Sequence, residues 1–391
     1  MVMERGLKLV IFSVVLAALA GCGGKHPDPY RYGVPELAAD GWSVGDADEA
    51  GMRTEILSDM MDYVMDTEGH NIHSILIFRD DKLVFEEYFE GYLYSSNPPG
   101  SNGDYITYDR ETDHYLASVS KTVTSVIFGI AVKEGFITDL DEKVVDIFPQ
   151  YSDVLTGEKA DITVRHLLTM SSGLSWDEST TPYGDPSNDV TRLFLSDDPL
   201  KEILSNTLLT PPGQTFLYNS GGTNVLGAII EKYTGMSLLE FGNRYLFDPL
   251  NVSGGIWQRM GGGLYFASGG VFLRPRELAK IGFLFINDGY WKEKQIVSEE
   301  WIDDSATGHI LTLGRTLPSA HAYGYQWWIM DFHAGNKTWP CFFAAGWGDQ
   351  YMFIFPGQEM IVVFNGGNYL RSGSVFPFDL VEDYILRAVE K

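Results

Sequence analysis

The chain has 391 residues, 45% hydrophobic and 21% charged, with a formal net charge of -25 at pH 7. Such a chain can bury a large core, and the lack of like-charge blocks or a repeat period excludes disordered and solenoid classes. The acidic balance repels phosphate backbones, so no nucleic-acid partner is expected.

The N-terminal stretch MVMERGLKLVIFSVVLAALAGC sets Arg5 and Lys8 before an apolar run from Leu9 to Leu19. The run is short for a bilayer span and reads as the hydrophobic region of a signal peptide. Its ending, Leu19-Ala20-Gly21-Cys22, resembles a bacterial lipobox, in which cleavage precedes a cysteine that then carries lipid. The expectation is a signal peptide over 1–21 and a lipid anchor on Cys22 that ties the chain to a membrane. The location expected is the bacterial cell envelope, outside the cytoplasm. The only other thiol, Cys341, lies among aromatics in WPCFFAAG and reads as a buried apolar residue. Residues 22–46 are rich in Gly and Pro without periodicity and read as a tether to a domain over 47–391.

Within that domain, RTEILSDMMDYVMDTEG carries one apolar stripe: Ile56, Leu57, Met60, Met61, Val64 and Met65. The spacing predicts a helix with a face to bury. IHSILIFRDDKLVFEEYF predicts a hairpin turning at Asp80-Asp81, with His70 and His73 as surface or edge residues before it. Near the other end CFFAA, QYMFIFP and MIVVFN predict three strands, and FDLVEDYILRAVEK a closing amphipathic helix. The fold class expected is α+β: an antiparallel five-stranded sheet built from both chain ends and flanked by the two terminal helices. A mainly helical lobe, about 118–328, is inserted into it.

The stretch YLASVSKTVTSVIFGIAVKEG holds the chemistry. It reads as an apolar helix beginning near Ser118, with Lys121 in its first turn, where the macrodipole disfavours a cation. Serine and lysine three apart share one helix face. A lysine that is desolvated and close to positive potential loses basicity, so its amine could take the Ser118 proton. The helix start would also aim N–H groups at an oxyanion. No other lysine in the chain has a serine three residues before it. A serine cap beside a snorkelling lysine accounts for the local pattern equally well.

Ser118-Val119-Ser120-Lys121 matches S-x-x-K of the serine β-lactamases and penicillin-binding proteins. The wider pattern is similar to the class C branch, its related esterases and the 6-aminohexanoate-dimer hydrolases. Tyr218-Asn219-Ser220 resembles that branch's Y-x-N, and Ala344-Ala345-Gly346 stands where K-T-G or H-x-G is found. HLLTMSSGLSWDE and LRPRELAKIGFLFINDG resemble further segments of the family, from about residue 50 to the C-terminus. The resemblance implies a β-lactamase/transpeptidase-like fold, with Ser118 as nucleophile and Lys121 and Tyr218 as a coupled base system. It further implies an oxyanion hole from the backbone N–H groups of Ser118 and Trp347. Ser220, Ala344, Ala345 and Gly346 would then lie in the substrate cleft.

Two departures shape the expected substrate. Ser220 replaces the Asn of Y-x-N, and Ala344 and Ala345 replace side chains that in β-lactamases and D,D-peptidases help hold a carboxylate. A neutral small-molecule ester or amide is therefore expected over a β-lactam or a D-alanyl-D-alanine terminus. Trp176, with Asp177 and Glu178, reads as lining the cleft entrance or as a loop clasp, and Gln350 as a substrate contact or a strand-edge residue. No G-x-S-x-G or H-E-x-x-H occurs, and the eight histidines form no ligand pattern, so neither metal nor cofactor is expected. A β-lactamase or carboxypeptidase, and a low-turnover binding protein on the same fold, are the competing readings.

Overall fold

The structure, a computed structural model, describes residues 28–253, 255–317, 319–370 and 374–390. The expected signal peptide and Cys22 lie outside the described residues. Among the described residues no helix is long and apolar enough to cross a membrane.

The main sheet has nine strands: β1 Ser43–Val44, β2 Ile72–Arg79, β3 Lys82–Tyr88, β4 Ile310–Leu311, β5 Ala322–Tyr323, β6 Trp328–Ala334, β7 Lys337–Gly346, β8 Gln350–Phe355 and β9 Met360–Gly366. Their spatial order is β1-β3-β2-β9-β8-β7-β6-β5-β4, antiparallel throughout except for the β1–β3 pair. Strands from both chain ends meet at β2–β9, where Val363 pairs with Leu76 and Ile361 with Phe78.

Strand periodicity feeds two cores at once, because successive side chains point to opposite faces. Leu76, Phe78, Ile361 and Val363 face one core, shared with helix α2 (Ser120–Lys133), helix α3 (Ser220–Thr234) and helix α4 (Pro275–Ile286). Ile75, Ile77, Val362 and Phe364 face the other, shared with helix α1 (Thr54–Asp66) and the C-terminal helical stretch. That stretch runs as Pro377–Leu380, a π turn Val381–Ile385, and Leu386–Ala388. Continuous apolar runs such as SILIF suit a sheet covered on both faces.

Two expectations change here. The sheet has nine strands where five were expected. Strand β6 alternates buried Trp328, Met330, Phe332 and Ala334 with outward Asp331 and His333 and starts where the helical lobe was expected to end, while β4 and β5 lie inside the stretch assigned to that lobe. Strands β1, β4 and β5 are two residues each, too short to show a period. The tether expected over 22–46 is, from Tyr30 onward, part of the folded body. The Tyr30 phenol donates to Glu87, Tyr32 donates to the Val84 carbonyl at 2.9 Å, and the Trp42 indole donates to the Arg276 carbonyl at 2.9 Å. His73, expected at a surface or edge, is 1% exposed within β2.

Candidate active site

Three pieces of chain converge at the junction of the lobes. The first is the turn Ala117–Val119, which leads directly into α2. Ala117 has φ +46°, a left-handed conformation that costs a non-glycine residue about 1–3 kcal/mol. The turn leaves Ser118 partly exposed while Leu116 and Val119 on either side are fully buried.

Helix α2 is buried along nearly its whole length, and its hydroxyls are spent on neighbouring backbone. Thr122 donates to the Gln326 carbonyl, Thr124 to Ala267 and Ser125 to Tyr325, at 2.7–3.0 Å. The Ser120 hydroxyl accepts from the Val271 N–H at 3.1 Å. These bonds fix the helix against the 267–271 segment and so place Lys121, which is 2% exposed. The Lys121 ammonium donates to Ser118 Oγ at 2.8 Å and to the Ser268 carbonyl at 2.9 Å. Ser268 is held in turn by its own N–H, which donates to Asn224 Oδ1 on α3 at 3.0 Å. Both acceptors of Lys121 are neutral. Burial pushes its amine down to about 8, and only the negative potential of Glu178 opposes that fall.

The second piece carries Tyr218, immediately before α3. Asn219 is the cap of that helix, its Oδ1 accepting the Gly222 N–H at 3.1 Å, as N-cap preferences favour. This fixes the chain at Tyr218, whose phenol lies close enough to the Ser118 hydroxyl for that group to pull its pKa down, and whose ring stacks on Trp328 at 5.5 Å. Lys121 Nζ lies 5.0 Å from the centre of the ring. Burial, and then Glu178, push the Tyr218 phenol up, while the Ser118 hydroxyl pulls it down. Ser118, Lys121 and Tyr218 are thus brought together.

The third piece is the end of β7. A Cβ on Gly346 would sit 2.5 Å from the Leu116 carbonyl and 3.2 Å from the Ser118 nitrogen. Only glycine lets the strand lie this close to the Ser118 N–H, and the next residue is Trp347. A cavity of about 450 Å³ opens beside Ser118, walled by Tyr94, Tyr115, Tyr183, Phe194, Phe266 and Trp347, with Ser220 and Arg259 also on its lining. The guanidinium of Arg259 already donates to the Gly263 carbonyl and the Tyr265 phenol, both at 2.6 Å.

Three of the residues expected in the cleft, Gln350, Ala344 and Ala345, are packed into the fold, and Trp176 lines a second cavity beside Tyr218. Gln350 is fully buried: its amide donates to the Gly348 and Gly366 carbonyls at 3.0 and 2.6 Å and its oxygen accepts from Asn365 at 2.9 Å. It ties β8 to β9. Ala344 is core beneath the site, and Ala345 packs on the opposite face of the sheet. Trp176 lines a separate cavity of about 290 Å³, reached past Tyr183, together with Glu178 and Tyr218. Its indole donates to Glu178 Oε2 at 2.5 Å, and the Ser220 N–H donates to the same oxygen at 3.3 Å. Ser268 and Asn224, which hold Lys121, carried no sequence signal, since each is an ordinary polar residue until the chain has folded. Among the described residues no group of three His, Cys, Asp or Glu is gathered to hold a metal.

A serine, a buried lysine and a tyrosine at the junction of an antiparallel sheet and a helical lobe define a class that comparison then names. The sequence model described as Beta-lactamase matches residues 58–366, and the chain belongs to that family. It is 27% identical to the 6-aminohexanoate-dimer hydrolase of Paenarthrobacter ureafaciens over 268 residues, 64% of this chain and 65% of that one. It is 31% identical to the lovastatin esterase of Penicillium rubens over 159 residues, 36% of this chain and 38% of that one. The chain thus spans less than two thirds of either relative. Two solved structures share the fold. One is a putative 6-aminohexanoate-dimer hydrolase from Bacillus anthracis (TM-score 0.65, 22% identity, covering 86% of this chain and 81% of that chain). The other is EstCE1, described as a hydrolase with promiscuous acyltransferase activity (TM-score 0.65, 18% identity, 88% and 99%).

Proposed function

We propose that this chain is a serine hydrolase that opens ester or amide bonds through an acyl-enzyme on Ser118. The observation that carries the reading is the Lys121 ammonium, 2% exposed, bonded only to neutral acceptors and 2.8 Å from Ser118 Oγ. A buried amine without a counter-ion gives up its proton near neutral pH, which is what a base for a serine hydroxyl requires. Tyr218, beside the same hydroxyl, completes the path: the pair takes the Ser118 proton as Oγ attacks and returns it to the leaving atom. The N–H groups of Ser118 and Trp347 are the oxyanion donors in this scheme, with Gly346 permitting their approach.

The substrate is a small molecule with an uncharged, apolar acyl part. The larger cavity is walled by aromatic rings, and Ala344 and Ala345 supply nothing to bind a carboxylate there. The names of the two relatives, a 6-aminohexanoate-dimer hydrolase and an esterase, fit a hydrolase of small molecules. The site of action we infer is the cell envelope, with the chain held to a membrane by lipid on Cys22; the support for this is the sequence LAGC after an apolar run.

A fluorophosphonate probe should label the wild type and fail on Ser118→Ala, and short-chain p-nitrophenyl esters should turn over only with Ser118 present. Labelling that survives Ser118→Ala overturns the assignment. Nitrocefin should be hydrolysed far more slowly than the esters. Rapid nitrocefin hydrolysis would show that the missing side chains at 344 and 345 do not govern the choice of substrate.

A further inference from the structure

Two cavities flank Ser118 and Tyr218, and they differ in chemistry. The larger borders Ser118 and is lined mainly by apolar groups. The smaller borders Tyr218, and Tyr183 lines both, so the cavities meet at its ring. In the hydrolase reading on which this inference rests, the Lys121–Tyr218 pair hands its proton to the departing atom. The departing group therefore leaves on the Tyr218 side, into the smaller cavity.

That cavity is walled by the rings of Trp176, Tyr183, Phe216 and Tyr218, and Glu178 supplies its carboxylate. Glu178 is anchored rather than neutralised. Its Oε2 accepts from the Trp176 indole at 2.5 Å and from the Ser220 N–H at 3.3 Å, both uncharged donors, while Oε1 takes no hydrogen bond from the described residues. Its negative potential acts on Lys121, Tyr218, Tyr183 and Tyr323, which line or underlie this space. One cation, Arg315, sits at the rim; it is exposed and donates to the Phe216 carbonyl at 3.0 Å, so water screens its charge. Aromatic faces around a carboxylate are the chemistry that recognises an ammonium group. The chain's charge of -25 draws cations toward its surface as well.

We infer that the Trp176–Glu178–Tyr218 cavity is a leaving-group subsite for a positively charged group, an alkylammonium or quaternary ammonium. The substrates would then be esters of amino alcohols, or amides of diamines, with an apolar acid part. In acylation, the bond from Ser118 Oγ to the carbonyl carbon forms and the bond to the leaving oxygen or nitrogen breaks. The proton from Ser118 passes through the Lys121–Tyr218 pair to that atom, and the freed amino alcohol or diamine keeps its distal positive charge against Glu178.

The test compares choline butyrate with its neutral isostere, 3,3-dimethylbutyl butyrate, which differ only in the charge of the leaving group. In the wild type kcat/KM should favour the choline ester about tenfold, the scale of a desolvated cation–aromatic contact. In Glu178→Gln the ratio should fall toward one. A wild-type ratio near one, or a ratio that Glu178→Gln leaves in place, overturns the inference. A second measurement needs no variant: tetramethylammonium should compete with the neutral ester in the wild type, against sodium at equal ionic strength. Absence of competition also overturns it. Failure of the underlying reading looks different, because turnover of the neutral ester would then persist in Ser118→Ala.

Discussion

At the scale of single residues, the site depends on where Lys121 is buried more than on where it lies along its helix. A cation in the first turn of α2 is unfavourable in water, but here burial is the main influence on the amine and brings it to about 8. The sign of the pH dependence follows. The base works as the neutral amine, so kcat/KM for a neutral ester should rise with pH and level off above about 8, with an apparent value that belongs to the Lys121–Tyr218 pair. Lys121→Arg keeps the positive charge but removes a group that can lose its proton, and should lower kcat by roughly 10²–10⁴. Rates measured from pH 6 to 10 on both proteins check this; a flat wild-type profile, or an active arginine variant, would contradict it. The quartet Ser118 to Lys121 was legible because its chemistry is local, two side chains one helical turn apart. Ala344, Ala345 and Gln350 were misplaced because their motif gives a register on β7 and β8 but not the direction in which each side chain points. Glu178 was readable as lining the cleft entrance or as part of a loop clasp, but not as a neighbour of Tyr218; that proximity exists because the Asn219 cap and the Trp176 indole bring residues some forty apart to one point.

At the scale of elements, legibility tracked the length and regularity of each pattern. Helix α1 and strands β2, β3, β7, β8 and β9 carry runs or stripes long enough to show a period, and each was expected where it lies. The segment from Tyr30 to Asp46 has none. It is held by isolated aromatics whose partners are distant in sequence: Glu87 for Tyr30, Val84 for Tyr32, and Phe78, Phe283 and Trp291 around Trp42. No window of sequence contains both sides of such contacts. The same segment supplies β1, and its Asp40 and Glu36 carbonyl engage Arg276, whose guanidinium is also paired with Glu86. If this docking is integral to the fold, Trp42→Ala should destabilise it by about 3–5 kcal/mol, the usual cost of emptying a large aromatic site. Urea unfolding of the chain from residue 28 measures it. A loss under about 1 kcal/mol would mean that the segment merely rests on the body.

At the scale of the whole molecule, stability should depend on pH through two buried imidazoles that the catalytic scheme does not use. His73 on β2 and His114 cluster with the Tyr108 ring, at centroid distances of 4.1 and 4.5 Å from it and 5.3 Å from each other. Neither His73 Nδ1 nor His114 Nε2 has a hydrogen-bond partner, and a Cβ on Gly91 or Gly367 would come within 2.4 or 2.7 Å of His73 Nε2. Burial pushes His73 down to about 3 and His114 well below its ordinary value, and the charge of His70 on His73 and of His73 on His114 opposes protonation too. Both rings are therefore neutral in the folded state across the range where the unfolded chain takes up protons. As pH falls below about 6.5 the unfolded state gains protons that the folded state refuses, so stability drops, by up to about 2 kcal/mol per ring on reaching pH 5. Raised carboxyls such as Glu87, Asp113 and Asp349 act in the opposite direction, so the informative quantity is a difference between proteins. His114→Phe keeps an aromatic ring beside Tyr108 and removes one titration. Whatever its stability at pH 7, it should lose less on going to pH 5 than the wild type does, by roughly half of the histidine contribution. Urea unfolding at half-unit steps from pH 7 to 5 reads this directly, and parallel curves for the two proteins would show that the ring stack does not govern the acid limb.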